Sequence, residues 1–350
     1  MDNTPPPTPH QRITVHDVAR VAGVSIGTVS RVVNGAATVK PAARERVNQA
    51  IAELGWAPSV AAQAMRGASS HMVGFIFSDI RNPLYSAMVK GAEDVLTQHG
   101  YLLMIASSDG LAEREIALID LFARRKADGL LFTIEEESDT AVRQSLSSAR
   151  IPTVMLEREL SAAVPTVGAD HYGGTRQAAE YLLSLGHRRI ALISGGRSNR
   201  VGRDRLRGFT DAHAAAGVEQ DEQLMRLDGF SADYAFRQTQ LLLGLERPPT
   251  ALIAAGMHLL NGILPAIRMK GLRIPHDISL IASNDSPLAQ LATPAISVIR
   301  YDGYALGREA ALLLLQQLKG ETPPQPNARV ELPTEFVMRE SCAAPKAGTL

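Results

Sequence analysis

Residues 17–34 read DVARVAGVSIGTVSRVVN, and the spacing of their apolar residues predicts two short helices joined by a tight turn. Thr14, just before this stretch, is a candidate N-cap, with Asp17 three residues on in the acidic form of a capping box. Val15, Val18, Ala19 and Ala22 fall on one face at helical spacing. Gly23 stops the first helix, Val24 can plug the turn, and Ser25 is a preferred N-cap for the second. Val29, Val32 and Val33 form the inner face of that second helix, and Gly35 follows Asn34 at its end. Two helices so joined make a helix-turn-helix, an arrangement whose second helix enters the DNA major groove.

The side chains on the second helix suit that use. Ile26 and Gly27 stand at its N-terminal tip, where a side chain or bare backbone can reach base edges. Thr28, Ser30, Arg31 and Asn34 carry short polar or cationic groups suited to phosphates, and Arg31 is also long enough to reach a base. Thr14 and Ser25 complete the candidate DNA contacts on these helices. The alternative is an ordinary surface helix pair.

A third helix follows in PAARERVNQAIAELG (41–55), with Pro41 in its first turn, Gly55 as its stop, and Val47, Ile51 and Leu54 turned inward. Then comes APSVAAQAMRG (57–67), bounded by Pro58 and Gly67. A helix shorter than about 12 residues is marginal in water, because nucleation costs more than so few hydrogen bonds return. This segment is therefore expected to be a helix only when something holds it.

The strings TVHDVARVAGVS (14–25), TVSRVVNG (28–35), RERV (44–47) and AIAELGW (50–56) with Pro58 closely resemble the DNA-binding headpiece of the lac-repressor (LacI/GalR) family of bacterial transcription regulators. The resemblance implies that 58–67 is a hinge helix pairing with its dimer mate in the DNA minor groove. Met65 then stands where an apolar wedge, most often Leu in the family, enters a base step. Lys40 departs from the family's usual Ser or Thr before the third helix, which bears on its capping rather than on the fold.

Bulk composition sets further bounds. A chain of 350 residues, 45% hydrophobic, can hold more than one domain and a sizeable core. Net charge is zero, yet residues 12–66 carry seven Lys or Arg against three Asp or Glu. The basic surplus is concentrated where phosphate binding would need it. The one cysteine, Cys342, excludes an intrachain disulfide and a cysteine-based zinc site. Residues 1–11, MDNTPPPTPHQ, have neither a basic start nor an apolar core, so no secretory signal is expected, and no run of 18 apolar residues suggests a membrane span. A cytoplasmic protein with a disordered tail is the expectation, nucleoid-associated when bound to DNA.

From His71 onward, apolar runs alternate with amphipathic helical stretches. Buried parallel strands are expected at 72–77, 101–106, 129–134 and 152–157, and again at 165–170, 189–195, 224–230, 250–256 and 278–284. Helices fall near 84–99, 111–126, 138–149, 171–185, 203–216, 231–244, 257–270 and 301–320. Such alternation means parallel sheets with helices on both faces, and nine or so strands imply two lobes. The resemblance extends over this part as well, which looks like the family's effector-binding core, related in fold to periplasmic sugar-binding proteins. The fold expected is thus an all-α helix-turn-helix headpiece plus an α/β core of two doubly wound parallel-sheet lobes. The divisions are a tail at 1–11, the headpiece at 12–57 and the hinge at 58–67. The first lobe is expected at 71–158 with 300–322, and the second at 159–299 with 323–342. The resemblance implies crossings between lobes near 158–163, 286–300 and 321–327.

Ligands of such folds bind at the carboxyl ends of strands, in the cleft between lobes. That rule selects Asp79, Asn82 and Tyr85 after the first strand, Ser107 to Asp109 after the second, and Glu157 with Arg158 after the fourth. It also selects Arg197 to Arg205 after Gly195-Gly196, Phe230, and Asn284 with Asp285. Asn82 and Ser108 read more readily as caps and turns. Arg205 stands in the family's R-x-x-G-F arrangement, Arg205 to Phe209, which implies ligand contact. The effector set is Asp79, Tyr85, Glu157, Arg158, Arg205, Phe230 and Asn284.

Two departures from the family bear on the ligand. Gly256-Met257 replaces a common Asn-Asp, and Ser283-Asn284-Asp285 replaces a common aromatic-Asp-Asp. Fewer acids beside Arg158, Arg197, Arg203 and Arg205 point to a positive cleft and a sugar acid over a neutral sugar, unless Arg158 pairs with Glu157 and the others face solvent. SGGRSNRVG (194–202) is neither a dinucleotide nor a P-loop fingerprint, and no catalytic or metal cluster stands out among nine histidines. No enzyme activity, cofactor or metal is expected. The reading is a ligand-responsive regulator, a repressor that binds a pseudo-palindromic double-stranded operator as a homodimer with a sugar-like or sugar-acid effector. The alternatives are an activator or a regulator without small-molecule control.

Overall fold

The structure, a computed structural model, describes residues 13–33, 36, 38–56, 69–160, 164–320 and 329–346. The expectations for the tail at 1–11, for Asn34 and for the hinge segment with Met65 lie outside the described residues. The chain divides into two units, 1–70 and 71–350.

In the first unit the helical signals become α1 (Val15–Ala22), α2 (Ile26–Val33) and α3 (Pro41–Leu54). The Thr14 N–H and hydroxyl both donate to Asp17 Oδ2, at 3.0 and 2.8 Å, so the acid secures the start of α1. Gly23 takes a left-handed φ of 63° that a side chain would resist, and Val24 N–H bonds back to Ala19 O at 3.1 Å. The turn therefore closes on backbone bonds. Val18, Ala19, Ala22, Val29, Val32, Val47 and Ala50 form the buried centre, with Val24, Ile51, Leu54 and Trp56 packed around it. Lys40 gives α3 no side-chain cap, as its departure from Ser or Thr foretold. Arg44 instead donates to Ala36 O at 2.7 Å and ties down the connection that precedes the helix.

Among the described residues, the second unit forms two six-stranded sheets. The first has the order β11-β5-β4-β3-β1-β2, and the second β12-β10-β9-β8-β6-β7. The first comprises β1 (Met72–Phe77), β2 (Leu102–Ser107), β3 (Gly129–Phe132), β4 (Thr153–Leu156), β5 (Thr166–Ala169) and β11 (Arg329–Leu332), all parallel. The second comprises β6 (Ile190–Ser194), β7 (Met225–Arg226), β8 (Ala251–Ala255), β9 (Ser279–Ser283), β10 (Ser297–Arg300) and β12 (Glu335–Val337). Only the β10–β12 pairing in it is antiparallel. Central strands such as GLLF and ALIAA are buried at every position, because helices cover both faces.

The helices are α4 (Pro83–Gln98), α5 (Ala112–Arg124), α6 (Thr140–Ala149), α7 (His171–Ser184), α8 (Arg200–Ala215), α9 (Ala232–Leu242), α10 (Leu259–Met269), α11 (Pro287–Leu291) and α12 (Gly303–Leu318). α4 and α12 cross at Gly91 and Gly307. A Cβ at Gly307 would lie 1.8 Å from Met88 O, and one at Gly91 2.0 Å from Tyr304 O. Their backbones touch there, and no larger residue fits. Among the described residues, no helix is long and apolar enough to cross a membrane.

Several expectations are corrected. β2 is not buried. It is the outer strand of its sheet, with Leu102 65%, Met104 45% and Ile105 46% exposed. The strand expected at 224–230 shrinks to two residues, because Leu224 closes a 3-10 turn and Asp228 N–H turns away to Tyr234 Oη at 3.0 Å. β5 pairs with β4 in the first sheet, so the first crossing falls at Asp170, not at 158–163. The second falls at Tyr301-Asp302, after β10, and the third at Pro333-Thr334, between β11 and β12. The Asp170 N–H donates to Leu332 O at 2.9 Å, and Thr334 Oγ1 donates to Asp170 O at 3.0 Å, so two of the crossings are bonded to each other.

Candidate functional site

Between the two sheets, at the carboxyl ends of their strands, lies a cavity of about 360 Å³. The first lobe contributes Ser78, Asp79, Asn82, Tyr85, Asp109, Glu135, Glu157 and Arg158. The second contributes Val201 and Arg205 from α8, then Phe230, Gly256, Met257 and His258. Asp79, Tyr85, Glu157, Arg158, Arg205 and Phe230 are therefore brought together.

Arg205 is buried, with Nη1 donating to Ala255 O at 2.5 Å and Nη2 to Ser283 Oγ at 3.2 Å. Nη2 also faces His171 Nδ1 at 3.4 Å, and His171 Nε2 meets Glu157 Oε2. Glu157 Oε1 accepts the Ala169 N–H at 3.0 Å. Burial pushes the His171 pKa down, outweighing the pull of Glu157. Burial pushes the Glu157 carboxyl up, but His171, the Ala169 N–H and Arg158 together hold it below the usual carboxylate range. The network thus assigns an anionic Glu157 and a neutral His171 that donates from Nε2 and accepts at Nδ1. Glu157 ends the first lobe's β4 while His171 and Arg205 belong to the second, so this buried chain of charge crosses between lobes. His171 was not among the expected residues. As the residue after Asp170 at the end of β5, it was within reach of the strand-end rule.

Other expected residues are engaged in particular ways. Arg158 does not pair with the Glu157 carboxylate; Nε donates to Ile134 O at 2.9 Å and Nη1 to Glu157 O at 3.1 Å. Tyr85 stacks on Phe77 with centroids 5.1 Å apart, its hydroxyl 3.1 Å from Ser78 Oγ. Asp79 binds Arg81 through both carboxylate oxygens, at 2.9 to 3.2 Å, and Arg81 holds its pKa below the usual range. Asn82 caps α4 through Leu84 N–H at 3.0 Å, and the Ser108 hydroxyl donates to Phe77 O at 3.3 Å. Asn284 falls outside this lining: with a φ of 69° and Oδ1 accepting the Asp285 N–H at 2.7 Å, it lines an adjoining cavity of about 640 Å³ that shares Leu84, Met257 and Tyr301 with the first.

In the first unit, Ser25 Oγ accepts the Thr28 N–H at 3.2 Å and lies 3.0 Å from Thr28 Oγ1, so both residues hold the start of α2. Ile26 is 41% exposed and Gly27 is open, a bare helix tip. Arg31 Nε folds back to Gly27 O at 3.2 Å, which places its guanidinium beside that tip.

Residues 14–59 match the family described as "Bacterial regulatory proteins, lacI family", and 179–342 match "Periplasmic binding protein-like domain". The transcriptional regulator CelR of Thermobifida fusca is 34% identical over 95% of this chain and 98% of its own length. The chain belongs to the LacI family. Similar solved structures include a CelR–cellobiose complex, at 33% identity and TM-score 0.71, covering 94% of this chain and all of that one. Another is the lac repressor dimer bound to operator and the anti-inducer ONPF, at 28% identity and TM-score 0.80, covering 95% and 100%. This LacI-family chain is thus a transcriptional regulator of the helix-turn-helix type, built on a periplasmic-binding-protein-like core, and not an enzyme.

The structure also shows how this family member differs in its cleft. The Phe230 ring lies on Gly195 and Gly256, where a Cβ would stand 1.8 and 2.8 Å from ring carbons. The Asn common in the family at position 256 would collide with that ring. The expected positive tilt is absent too. Asp79, Asp109, Glu135 and Glu157 on the wall balance Arg158 and Arg205 together with Arg81 and Arg114, which pair with Asp79 and Asp109. Arg203 is drawn off to Glu137 at 2.7 Å, and Arg197 lines a neighbouring depression.

Proposed function

We propose that this LacI-family regulator is a repressor whose homodimer binds a pseudo-palindromic DNA operator through α2, under control of a neutral, polyhydroxylated effector in the interlobe cavity. One observation carries the reading: a helix pair with a bare, exposed tip and a cleft closed around a buried Arg205–His171–Glu157 chain occur in the same polypeptide. Arginines and carboxylates on and beside the wall balance, which suits a neutral ligand, and the carboxylates accept hydrogen bonds from hydroxyl groups. Arg205 offers charge-assisted bonds, while Phe230 and Tyr85 offer aromatic faces to a sugar ring's apolar side. That the CelR relative is known as a cellobiose complex supports a sugar-like class.

The homodimer is supported by β2, whose unpaired edge exposes Leu102, Met104 and Ile105 and would be shielded by a second copy. The place of action is the cytoplasm, at the nucleoid when operator-bound. Selection of bound sites from random DNA tests the DNA half. The selected site has two-fold symmetry, and Ile26→Ala and Gly27→Ala change its sequence while Thr28→Ala weakens all DNA alike. Unchanged preference in the tip variants refutes α2 as the reader. A thermal-shift screen of sugars, sugar acids and nucleosides tests the other half, since binding to the folded state raises the melting temperature.

A further inference from the structure

The interlobe cavity borders a depression of about 850 Å³, and Glu135 and Phe230 line both. Glycines admit these two side chains. A Cβ at Gly195 or Gly256 would stand 1.8 or 2.8 Å from the Phe230 ring, and one at Gly110 3.3 Å from Glu135 Cγ. The Glu135 N–H donates to Glu115 Oε1 at 3.0 Å, which anchors the backbone there. Asp79 and Asp109 are held by Arg81 and Arg114, and Glu157 by His171 and the Ala169 N–H. The Glu135 carboxylate, unlike those of the other three wall acids, has no hydrogen bond or ion pair among the described residues. In the depression the side chains of Arg197, Glu222 and Asp228 are equally uncommitted among the described residues. Glu135 is half-buried and those three are exposed, so a molecule entering from solvent can reach all four.

We infer that the effector has at least two sugar units, one in the cavity beside Arg205 and the next in this depression, with Glu135 and Phe230 at the linkage between them. The inference rests on the proposed reading of the cavity as the site of a polyhydroxylated effector, and it narrows that reading to a di- or oligosaccharide. Carboxylates accept hydrogen bonds from hydroxyl groups, and a guanidinium donates to them. A single sugar unit in the cavity leaves Arg197, Glu222 and Asp228 in water. A second unit gives them hydroxyl partners, and hydrogen bonds to charged groups are the stronger kind. Chain length is then what the site measures.

The test measures Kd by calorimetry on the full-length wild type, Arg197→Ala and Asp228→Asn. The probes are D-glucose with cellobiose and maltose, D-xylose with xylobiose, D-galactose with lactose, and D-ribose. Both substitutions are at exposed positions of the depression, so without sugar the variants melt within about 2 °C of the wild type. For the disaccharide that binds the wild type, the matching monosaccharide binds about tenfold more weakly or worse. Each variant weakens the disaccharide by about fivefold or more and leaves any monosaccharide within about twofold. A monosaccharide that binds as tightly as its disaccharide overturns the inference. So do variants that leave the disaccharide Kd unchanged, or that weaken both lengths alike. Binding of monosaccharides alone defeats the second unit while the polyol reading stands. If no sugar of either length binds, the polyol reading itself fails and the second unit falls with it.

Discussion

Glu137→Ala should open the cleft. Glu137 follows β3 in the first lobe and is 7% exposed. Its Oε1 accepts the N–H groups of Glu159 and Arg200, both at 2.9 Å, and Oε2 accepts from Arg203 Nη2 at 2.7 Å. Arg200 and Arg203 lie in the first turn of α8 in the second lobe, so one carboxylate bonds the two lobes together beside the cavity. Removing it strands the buried Arg200 N–H, at about 1–3 kcal/mol. The lost charge at the start of α8 adds about 0.3–1 kcal/mol. Arg203, nearly half exposed, regains water, and its lost pair adds less than about 1 kcal/mol. The Glu159 bond lies within the first lobe and does not enter. The balance between closed and open lobes therefore shifts by about 1–5 kcal/mol, a factor of roughly ten to a few thousand. Dyes on Glu113→Cys in the first lobe and Met269→Cys in the second report that balance by single-molecule energy transfer. The wild-type background should give one short distance, and Glu137→Ala a second, longer population. Glu137→Gln, which keeps an oxygen for the backbone N–H groups, should fall between them. An unchanged distance distribution in the Ala variant refutes the clasp.

Arg205→Ala should do more than abolish the effector response, because it also strands Ala255 O and leaves Glu157 with one cation fewer. A loss of about 3–5 kcal/mol in unfolding free energy of the second unit is expected in urea, and Arg205→Lys should recover part of it. An unchanged urea midpoint would mean that Arg205 serves the ligand alone. Burial pushes the Glu115 carboxyl from 4.5 up to about 7, against the pull of the Glu135 N–H it accepts at 3.0 Å. Folding then favours its protonated form, so this contribution to stability is complete below about pH 4.5 and is lost as the pH rises through about 7. The melting-temperature difference between wild type and Glu115→Gln should shift against the wild type between pH 5 and 8, and a constant difference would rule that out.

Much of this was legible in the sequence, and what was not shares one cause. The headpiece helices followed from local signals: the Asp17 carboxylate at Thr14, the left-handed Gly23, and valines at helical spacing. Strands such as β3 and β8 followed from unbroken apolar runs. An apolar run does not say which strands will be its neighbours, however. LLMIAS therefore looked as buried as GLLF although it ends a sheet, and β5 was placed in the wrong lobe. Ser297–Arg300 went unseen because Ser297 and Arg300 leave only Val298 and Ile299 as an apolar run within the strand. In the cleft, the residue types were readable but their partners were not. Arg203 and Arg158 counted as free charges until Glu137 and the backbone carbonyls claimed them. His171 and Glu137 matter through bonds to residues far away in sequence, which no local pattern encodes.

The glycine crossing of α4 and α12 has a mechanical consequence. Pro83 starts α4 directly beside the cavity, and α12 begins at Gly303, straight after the second lobe crossing. With Met88 O against Gly307 and Tyr304 O against Gly91, these two helices cannot slide or roll on each other. They act as a splint, so motion between lobes is left to Asp170, Tyr301-Asp302 and Pro333-Thr334, the first and last of which are already bonded together. Three crossings so restricted would behave like an axle. The cleft would then open by a change of one angle, with both sheets keeping their registers.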